Sequence, residues 1–250
     1  TFSGIADGSE TLTIEPKTST SIYDRFGLSA SVSQNNNSIN INERISPTFT
    51  LIDISSNSSV QSNNAITNDI VSLNITASET INQPYVVFQS GGSPINDTTI
   101  TYSGSGNSWN AQYTVNASDL SGAVTFTVDA SDNAGNNAIQ ATSTTNSSTM
   151  TRLGPFFTLI DISSNNSIKT NNATTNDIVS LNINASETIN QPYVVFQSGG
   201  SPINNSIVYS GSGKSWNAQY TVDASDSIGA ITFTLDASDN NLGEIIPQAT

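Results

Sequence analysis

Two short acidic runs are the densest sets of potential cation ligands in the sequence. Asp129 and Asp132 stand three residues apart in the run DASDN, and Asp236 and Asp239 repeat that run 107 residues later. Hard cations such as Ca²⁺ prefer carboxylate oxygens, so one interpretation is a Ca²⁺ site at the end of a strand. The other is a turn, because Asp and Asn close turns by bonding to their own backbone. Both stay open, and Ca²⁺ is the one cofactor that the sequence suggests.

The remaining chemistry is sparse. Glu79 and Glu187 occupy the same place in the repeated run ASETI, and we interpret them as exposed charges rather than as a second pair of cation ligands. The sequence has neither Cys nor His, so it offers no thiolate and no imidazole base. No nucleophile and base stand in a recognisable arrangement. We therefore expect no enzyme within these residues.

Sequons of the form Asn-X-Ser/Thr are frequent and mark candidate glycosylation sites. Asn74 is predicted to face outward from its strand, and in the second copy the sequon moves two residues on, to Asn184. Two residues along a strand is the same face, so a glycan at either place would leave the core intact. The candidate sites are Asn74, Asn96, Asn116, Asn184 and Asn204.

The net charge of the chain limits the kinds of partner that we expect. Six Lys and Arg stand against twenty Asp and Glu, giving a net charge of −14. Nucleic acids and anionic membranes need a basic face, so we expect neither as a partner. No apolar run approaches the length of a membrane span, so we expect no membrane insertion in this segment. The acidic, lysine-poor composition suits an extracellular, cell-surface location, and the start at Thr1 without Met suggests a piece of a longer processed polypeptide.

The elements that carry these residues come in two copies. The run FTLIDISSN begins at Phe49 and again at Phe157, which is 108 residues later. Twenty letters beginning at Ala77 recur unchanged from Ala185, turn and surface positions included. A period of about a hundred residues matches a whole sandwich domain rather than a solenoid unit. The sequence therefore predicts duplication of a complete module.

Period-two alternation predicts about seven strands in each module, the last near residues 137–142 of the first copy. We expect three regions: 1–46 as a partial module or the end of a preceding domain, 47–152 as the first repeat, and 153–250 as the second. The runs RISPTF, from Arg44, and TRLGPFF, from Thr151, are predicted to be stiff inter-module linkers, because Pro47 and Pro155 fix φ.

The runs DIVSLNITASETINQP, YSGSG followed by AQYTV, and TFT followed by DASDN resemble the tandem immunoglobulin-like repeats of large prokaryotic cell-surface proteins, including S-layer proteins and adhesins. The resemblance implies an all-β chain of tandem immunoglobulin-like β-sandwich domains. It also implies that neighbouring copies or modules of the same surface protein are the main partners.

Three functions fit these observations. The first is a structural segment of an exported coat or surface filament, which duplicated modules and stiff links favour. The second is a set of adhesin modules that bind a glycan or a protein through repeated loops. The third is an accessory domain of a secreted hydrolase. We expect the structural role.

Overall fold

The computed structural model describes residues 11–31, 38–40, 44–97 and 99–250, and every regular element in them is a β-strand. The described part of the chain contains no helix that is long and apolar enough to cross a membrane. The all-β prediction is therefore confirmed. It follows from the alternation of Val, Ile, Leu and aromatic residues with Ser, Thr and Asn, a pattern that suits a pleated surface buried on one side.

The region before the first repeat contributes two short strands, β1 (Thr11–Thr13) and β2 (Ser38–Asn40), which pair antiparallel. Between them, Tyr23 and Ser29 form an isolated antiparallel bridge. Parts of the region predicted as a partial module lie outside the described residues.

The first repeat forms two packed sheets from nine strands. The strands are β3 (Phe49–Ser56), β4 (Asn64–Ala65), β5 (Ile70–Ala77), β6 (Tyr85–Ser90), β7 (Ser93–Pro94), β8 (Thr101–Ser105), β9 (Ser108–Thr114), β10 (Gly122–Asp129) and β11 (Thr151–Arg152). One sheet has the order β3-β5-β9-β8 and the other the order β4-β11-β10-β6-β7.

The core lies between these two sheets. On β5 every second residue from Val71 to Ala77 is buried, as the alternation predicts. Phe88 of one sheet meets Tyr113 of the other with ring centroids 4.8 Å apart and a 45° tilt. A buried aromatic pair in this tilted geometry joins the sheets more firmly than area burial alone would.

The second repeat folds in the same way. Its strands are β12 (Phe157–Ser164), β13 (Ile178–Ala185), β14 (Tyr193–Ser198), β15 (Ser201–Pro202), β16 (Val208–Ser212), β17 (Ser215–Thr221), β18 (Ile231–Ser238) and β19 (Ile245–Ala249). Its sheets have the orders β12-β13-β17-β16 and β15-β14-β18-β19. Phe196 and Tyr220 repeat the aromatic pair at 5.0 Å, and the main core clusters of the two repeats share no residue.

The strand order defines the class of protein. One sheet reads A-B-E-D and the other contains C, F and G when the strands are lettered in chain order, with the short β4, β7 and β15 left out and β11 and β19 as G. That is the arrangement of an immunoglobulin-like sandwich. The chain is thus a tandem array of immunoglobulin-like domains.

The last strand differs from the prediction in the first repeat. Residues 137–142 make only two isolated bridges to the chain near β10, Val128 with Ala141 and Ser131 with Asn137. The remainder of that strand is β11, which pairs with the other end of β10. Thr151 and Arg152, expected to begin a linker, thus belong to a sheet. The strand is split because residues 143–150 leave β10 and run along the edge of β3.

The hairpin between β8 and β9 depends on a glycine that no other residue replaces easily. Gly104 has a φ of +112°, and a Cβ there would lie 2.3 Å from the Ser108 carbonyl oxygen. Gly106, two residues on, has a φ of +63°, and a Cβ at that position would have nothing within 4 Å. Both are left-handed, but only Gly104 also lacks space for a side chain.

We predict that Gly104→Ala lowers the free energy of unfolding by about 2 kcal/mol or more, because strain and a backbone clash add. Gly106→Ala is the matched control and should cost about 1 kcal/mol, the usual penalty for a left-handed alanine. Urea denaturation of both variants measures the difference. Equal losses would contradict the close backbone approach at Gly104.

Candidate functional site: the inter-module joint

The strand that completes the first module leads directly into the second. In the first module, the Leu153 N–H donates to the Ala65 carbonyl at 2.8 Å. In the second, the Phe156 N–H donates to the Ser186 hydroxyl at 3.1 Å, and the Ser186 N–H donates to the Phe156 carbonyl at 2.8 Å. Only Gly154 and Pro155 stand between these anchors, and Pro155 is buried. The connection therefore has little freedom to bend.

Arg152 is the centre of this joint. Its side chain is fully buried, although arginine is almost never fully buried unless its charge is paired. One terminal nitrogen, Nη2, donates to Glu187 Oε2 at 3.1 Å, and the other, Nη1, donates to Glu244 Oε2 at 3.1 Å. Both carboxylates come from the second module. Within the described residues, a charge of the first module is thus neutralised only by residues of its neighbour.

Two further contacts tie the same carboxylates back to the first module. The Thr67 hydroxyl donates to Glu187 Oε2 at 2.6 Å, and the Ser121 N–H donates to Glu244 Oε1 at 2.8 Å. We name Thr67, Ser121, Arg152, Glu187 and Glu244 the joint cluster. Each carboxylate in it accepts from two different places on the first module, which restrains rotation as well as separation.

Glu244 is positioned by a residue that the sequence suggested for calcium. The buried carboxylate of Asp239 caps the loop after β18: its Oδ1 accepts the N–H groups of Leu242, Gly243 and Glu244 at 2.9, 2.6 and 3.1 Å. Capping fixes the loop backbone, and the loop then holds Glu244 toward Arg152. Asp239 thereby acts on the joint through Glu244.

The joint cluster is not fully satisfied. Within the part of the chain that the structure describes, buried Arg152 Nε and Glu187 Oε1 have no hydrogen-bond partner. Desolvation of such a cluster offsets much of its attraction, so its main effect is orientation rather than net stability. Nearby, burial raises the pKa of the Tyr113 hydroxyl well above its usual range; the Asp119 carboxylate raises it further, while the Arg152 guanidinium opposes the rise.

The two members of each candidate calcium pair differ in their exposure to solvent. Asp129 is exposed and accepts two hydrogen bonds from the Gln140 amide, whereas Asp132 is buried and accepts from the Asn136 N–H at 2.8 Å. Asp236 is likewise exposed while Asp239 is buried. Across residues 11–31, 38–40, 44–97 and 99–250, no group of three or more acidic side chains gathers where a metal ion could bind. The calcium site stays a prediction.

The candidate glycosylation sites are all at least partly accessible. Asn74 and Asn184 are half-buried on the outer faces of β5 and β13, and Asn74 accepts a hydrogen bond from the Asn110 amide at 2.7 Å. The other three are exposed: Asn96, Asn116 and Asn204. Their modification stays a prediction.

Glu79 and Glu187 were expected to be exposed charges, and that expectation is wrong. They are 8% and 4% exposed, respectively, and Glu187 binds Arg152. The expectation failed because the partner of Glu187 is contributed by a different module. The repeat did carry a signal: Arg44 precedes Glu79 by 35 residues, and Arg152 precedes Glu187 by the same 35. An Arg and a Glu that recur together in a chain with six basic residues suggest a pair.

Comparison with known proteins gives no family for this chain. No protein-family model matches the sequence, and no curated protein matches it. Among solved structures, the chain is similar to the crystal structure of the titin domains Z1Z2 in complex with telethonin, at 18% identity and a TM-score of 0.35. The similarity covers 81% of this chain and 95% of that one. The immunoglobulin-like class follows from the strand order of the two repeats.

We predict that Arg152→Met lowers the free energy of unfolding by about 3 kcal/mol, because it leaves Glu187 buried without its counter-charge. Chemical denaturation at neutral pH measures the loss. Adding Glu187→Gln and Glu244→Gln should restore much of it, because no unpaired charge then remains in the joint.

Arg44→Met is the matched control for this experiment. Arg44 holds the same place in the repeat register as Arg152 but is exposed, so its removal should change stability by about 0.5 kcal/mol or less. Equal effects of the two substitutions would contradict the buried ion pair.

Proposed function

We propose that this chain is a structural segment of an exported cell-surface protein, in which immunoglobulin-like modules form a stiff coat element or filament. The observation that carries the proposal is the joint cluster. Domains joined by flexible linkers do not need a buried arginine whose counter-charges lie in the next module. A filament under tension or a lattice-forming element needs such a contact, because each module keeps its full reach only if the joints do not bend.

The surface chemistry supports the same role. A net charge of −14 with 10% charged residues leaves a surface that is mostly Ser, Thr and Asn, with acidic groups between them. Such a surface attracts cations and repels other copies unless specific contacts form. The extracellular location, calcium binding at Asp129 and Asp132 and at Asp236 and Asp239, and glycans at the candidate sequons belong to this proposal. The partners would be neighbouring modules or copies of the same protein.

A second candidate function, adhesion, is favoured by one observation. An open groove lies beside the start of β6 in the first module and has a volume of about 480 Å³. The second module has a matching groove of about 470 Å³ beside the start of β14. Tyr85 lies at one groove and Tyr193 at the other, and each is 66% exposed. Exposed aromatic rings are common at sites that bind sugars or peptides. Two matching grooves on a stiff array would bind a repetitive partner with avidity.

Immunogold electron microscopy of intact source cells, with antibodies raised against the 250-residue chain, tests the proposal. We expect label on the outer surface, in a periodic array for a coat or along thin fibres for a filament. Label confined to the cell interior would contradict a surface role. A glycan array probed with the same chain and with a Tyr85→Ala, Tyr193→Ala variant tests adhesion, which requires binding that the variant loses.

A further inference from the structure

Each module ends one of its sheets on a short strand whose outer edge is open. In the first module this strand is β8, the last in the order β3-β5-β9-β8, and in the second it is β16, the last in the order β12-β13-β17-β16. Among the described strands, β8 pairs only with β9, and β16 pairs only with β17. Both are five residues long, with the letters TYSGS and VYSGS. The two modules therefore present the same kind of edge.

The strand register shows which backbone groups point outward from this edge. Ser105 and Ser108 face each other across a two-residue turn, so they form a hydrogen-bonded pair of the ladder. Such pairs alternate with non-hydrogen-bonded pairs along an antiparallel ladder, so the backbone of Ser103 also faces β9. The N–H and carbonyl groups of Tyr102 and Gly104 consequently point away from the sheet. Their counterparts in the second module are Tyr209 and Gly211.

Other edges of the first module carry features that oppose pairing. At β3, the Ile52 N–H donates to the Thr145 hydroxyl and the Ile54 N–H donates to the Ser148 hydroxyl, each at 3.0 Å. At the end of the second sheet, β7 contains Pro94, which has no N–H to donate. Covering segments and prolines are common means of protecting a sheet edge. In contrast, β8 contains neither a proline nor a charge.

The surface around the open edge is also unusually neutral for this chain. Residues 101–114, which include β8 and β9, contain no charged side chain, and residues 208–221 contain only Lys214. The whole chain has a net charge of −14, so two copies repel each other over most of their surface. A second copy can therefore approach the β8 and β16 edges at the lowest electrostatic cost.

We propose that the β8 and β16 edges are self-association sites, at which each strand pairs antiparallel with the same strand of a second copy of this chain. The outward groups fix the register of the pairing. Tyr102 lies opposite Gly104 of the second copy, and Ser103 lies opposite its own counterpart on a two-fold axis. In the second module Ser210 occupies the axis.

The side chains suit this register on both faces of the strand. On the outer face, Thr101 and Ser105 are exposed, and pairing places them opposite each other as a hydroxyl pair. In the second module Val208 replaces Thr101 and is 64% exposed, so pairing there also covers an apolar side chain. On the inner face, the Tyr102 hydroxyl accepts the Val86 N–H of its own module at 3.0 Å, which leaves the strand edge unobstructed.

Two such edges on one chain have a consequence that one edge would not have. Each chain can bind two further copies, one through β8 and one through β16, so association continues beyond the dimer. The joint cluster holds the two edges in a fixed relation, which favours an ordered array over irregular aggregates. The use of the edges in an array rests on the structural role proposed above.

Sedimentation equilibrium of the 250-residue chain, from micromolar to millimolar concentration, tests the proposal. The ionic strength is set at about 0.15 M, where repulsion between acidic surfaces is screened beyond about 8 Å. We expect the weight-average mass to rise above that of a dimer. The double variant Ser103→Lys, Ser210→Lys should weaken association by about fivefold or more at each edge, because two lysines then face each other on the two-fold axis.

The matched control is the double variant Gln89→Lys, Gln197→Lys. It adds the same charge at exposed positions of the other sheet in each module, and it should associate at least as strongly as the unaltered chain. A charge-reversal arm tests the register itself. Chains with Ser103→Asp and Ser210→Asp should associate weakly alone but strongly when mixed with the Ser103→Lys, Ser210→Lys chains, because opposite charges then meet on the axis.

Three outcomes would overturn the proposal: an unaltered chain that stays monomeric at millimolar concentration, a serine-to-lysine variant that associates as strongly as its control, or a charge-reversed mixture that associates no better than its components. Failure of the structural role is a separate result. Label on the cell surface with a monomeric chain would leave that role and overturn the pairing. Pairing at these edges with label confined to the cell interior would do the reverse.

Discussion

The contact between the two modules depends on the buried positive charge of Arg152, which requires negatively charged partners. Arg152 is fully buried at the end of the first module, where an unpaired guanidinium would be prohibitively unfavourable. Its only charged partners in the described residues, Glu187 and Glu244, belong to the second module. The buried charge therefore favours the placement of the second module in which both carboxylates reach Arg152.

This constraint links module completion to module connection. The strand that carries Arg152 also closes the first sandwich, pairing with β4 and β10. The same segment thus completes a sheet of the first module and contacts the second module through Arg152. Bending the joint would disturb β11, and removing β11 would take away the strand that pairs with both β4 and β10. Closure and stiffness are two results of the same short segment.

Much of the fold was accessible from sequence because it rests on local alternation. The buried positions of β5 and β9 follow from period-two patterns, and the duplication is explicit in the letters. The split last strand was not accessible. Residues 143–150 are Ser, Thr and Asn with one Met, a composition typical of a loop, and they order only because their hydroxyls meet the edge of β3.

In the candidate site, too, some features could be predicted from the sequence and others could not. Asp239 was singled out for its oxygens, but its Oδ1 serves the backbone of its own loop, which no spacing rule reveals. Arg152 and Glu187 were missed because alternation describes contacts within a module and carries no information about contacts between modules. Their recurrence at equal separation in both copies was the only sequence signal for the pair.

The most direct test of a stiff joint is the measurement of residual dipolar couplings in weakly aligned samples of the whole chain. Couplings from the two modules are fitted separately, each yielding an alignment tensor. If the joint cluster holds the modules as one body, the two tensors share their axes and magnitude. Tensors of clearly different magnitude would show that the modules reorient independently, which would contradict a stiff joint.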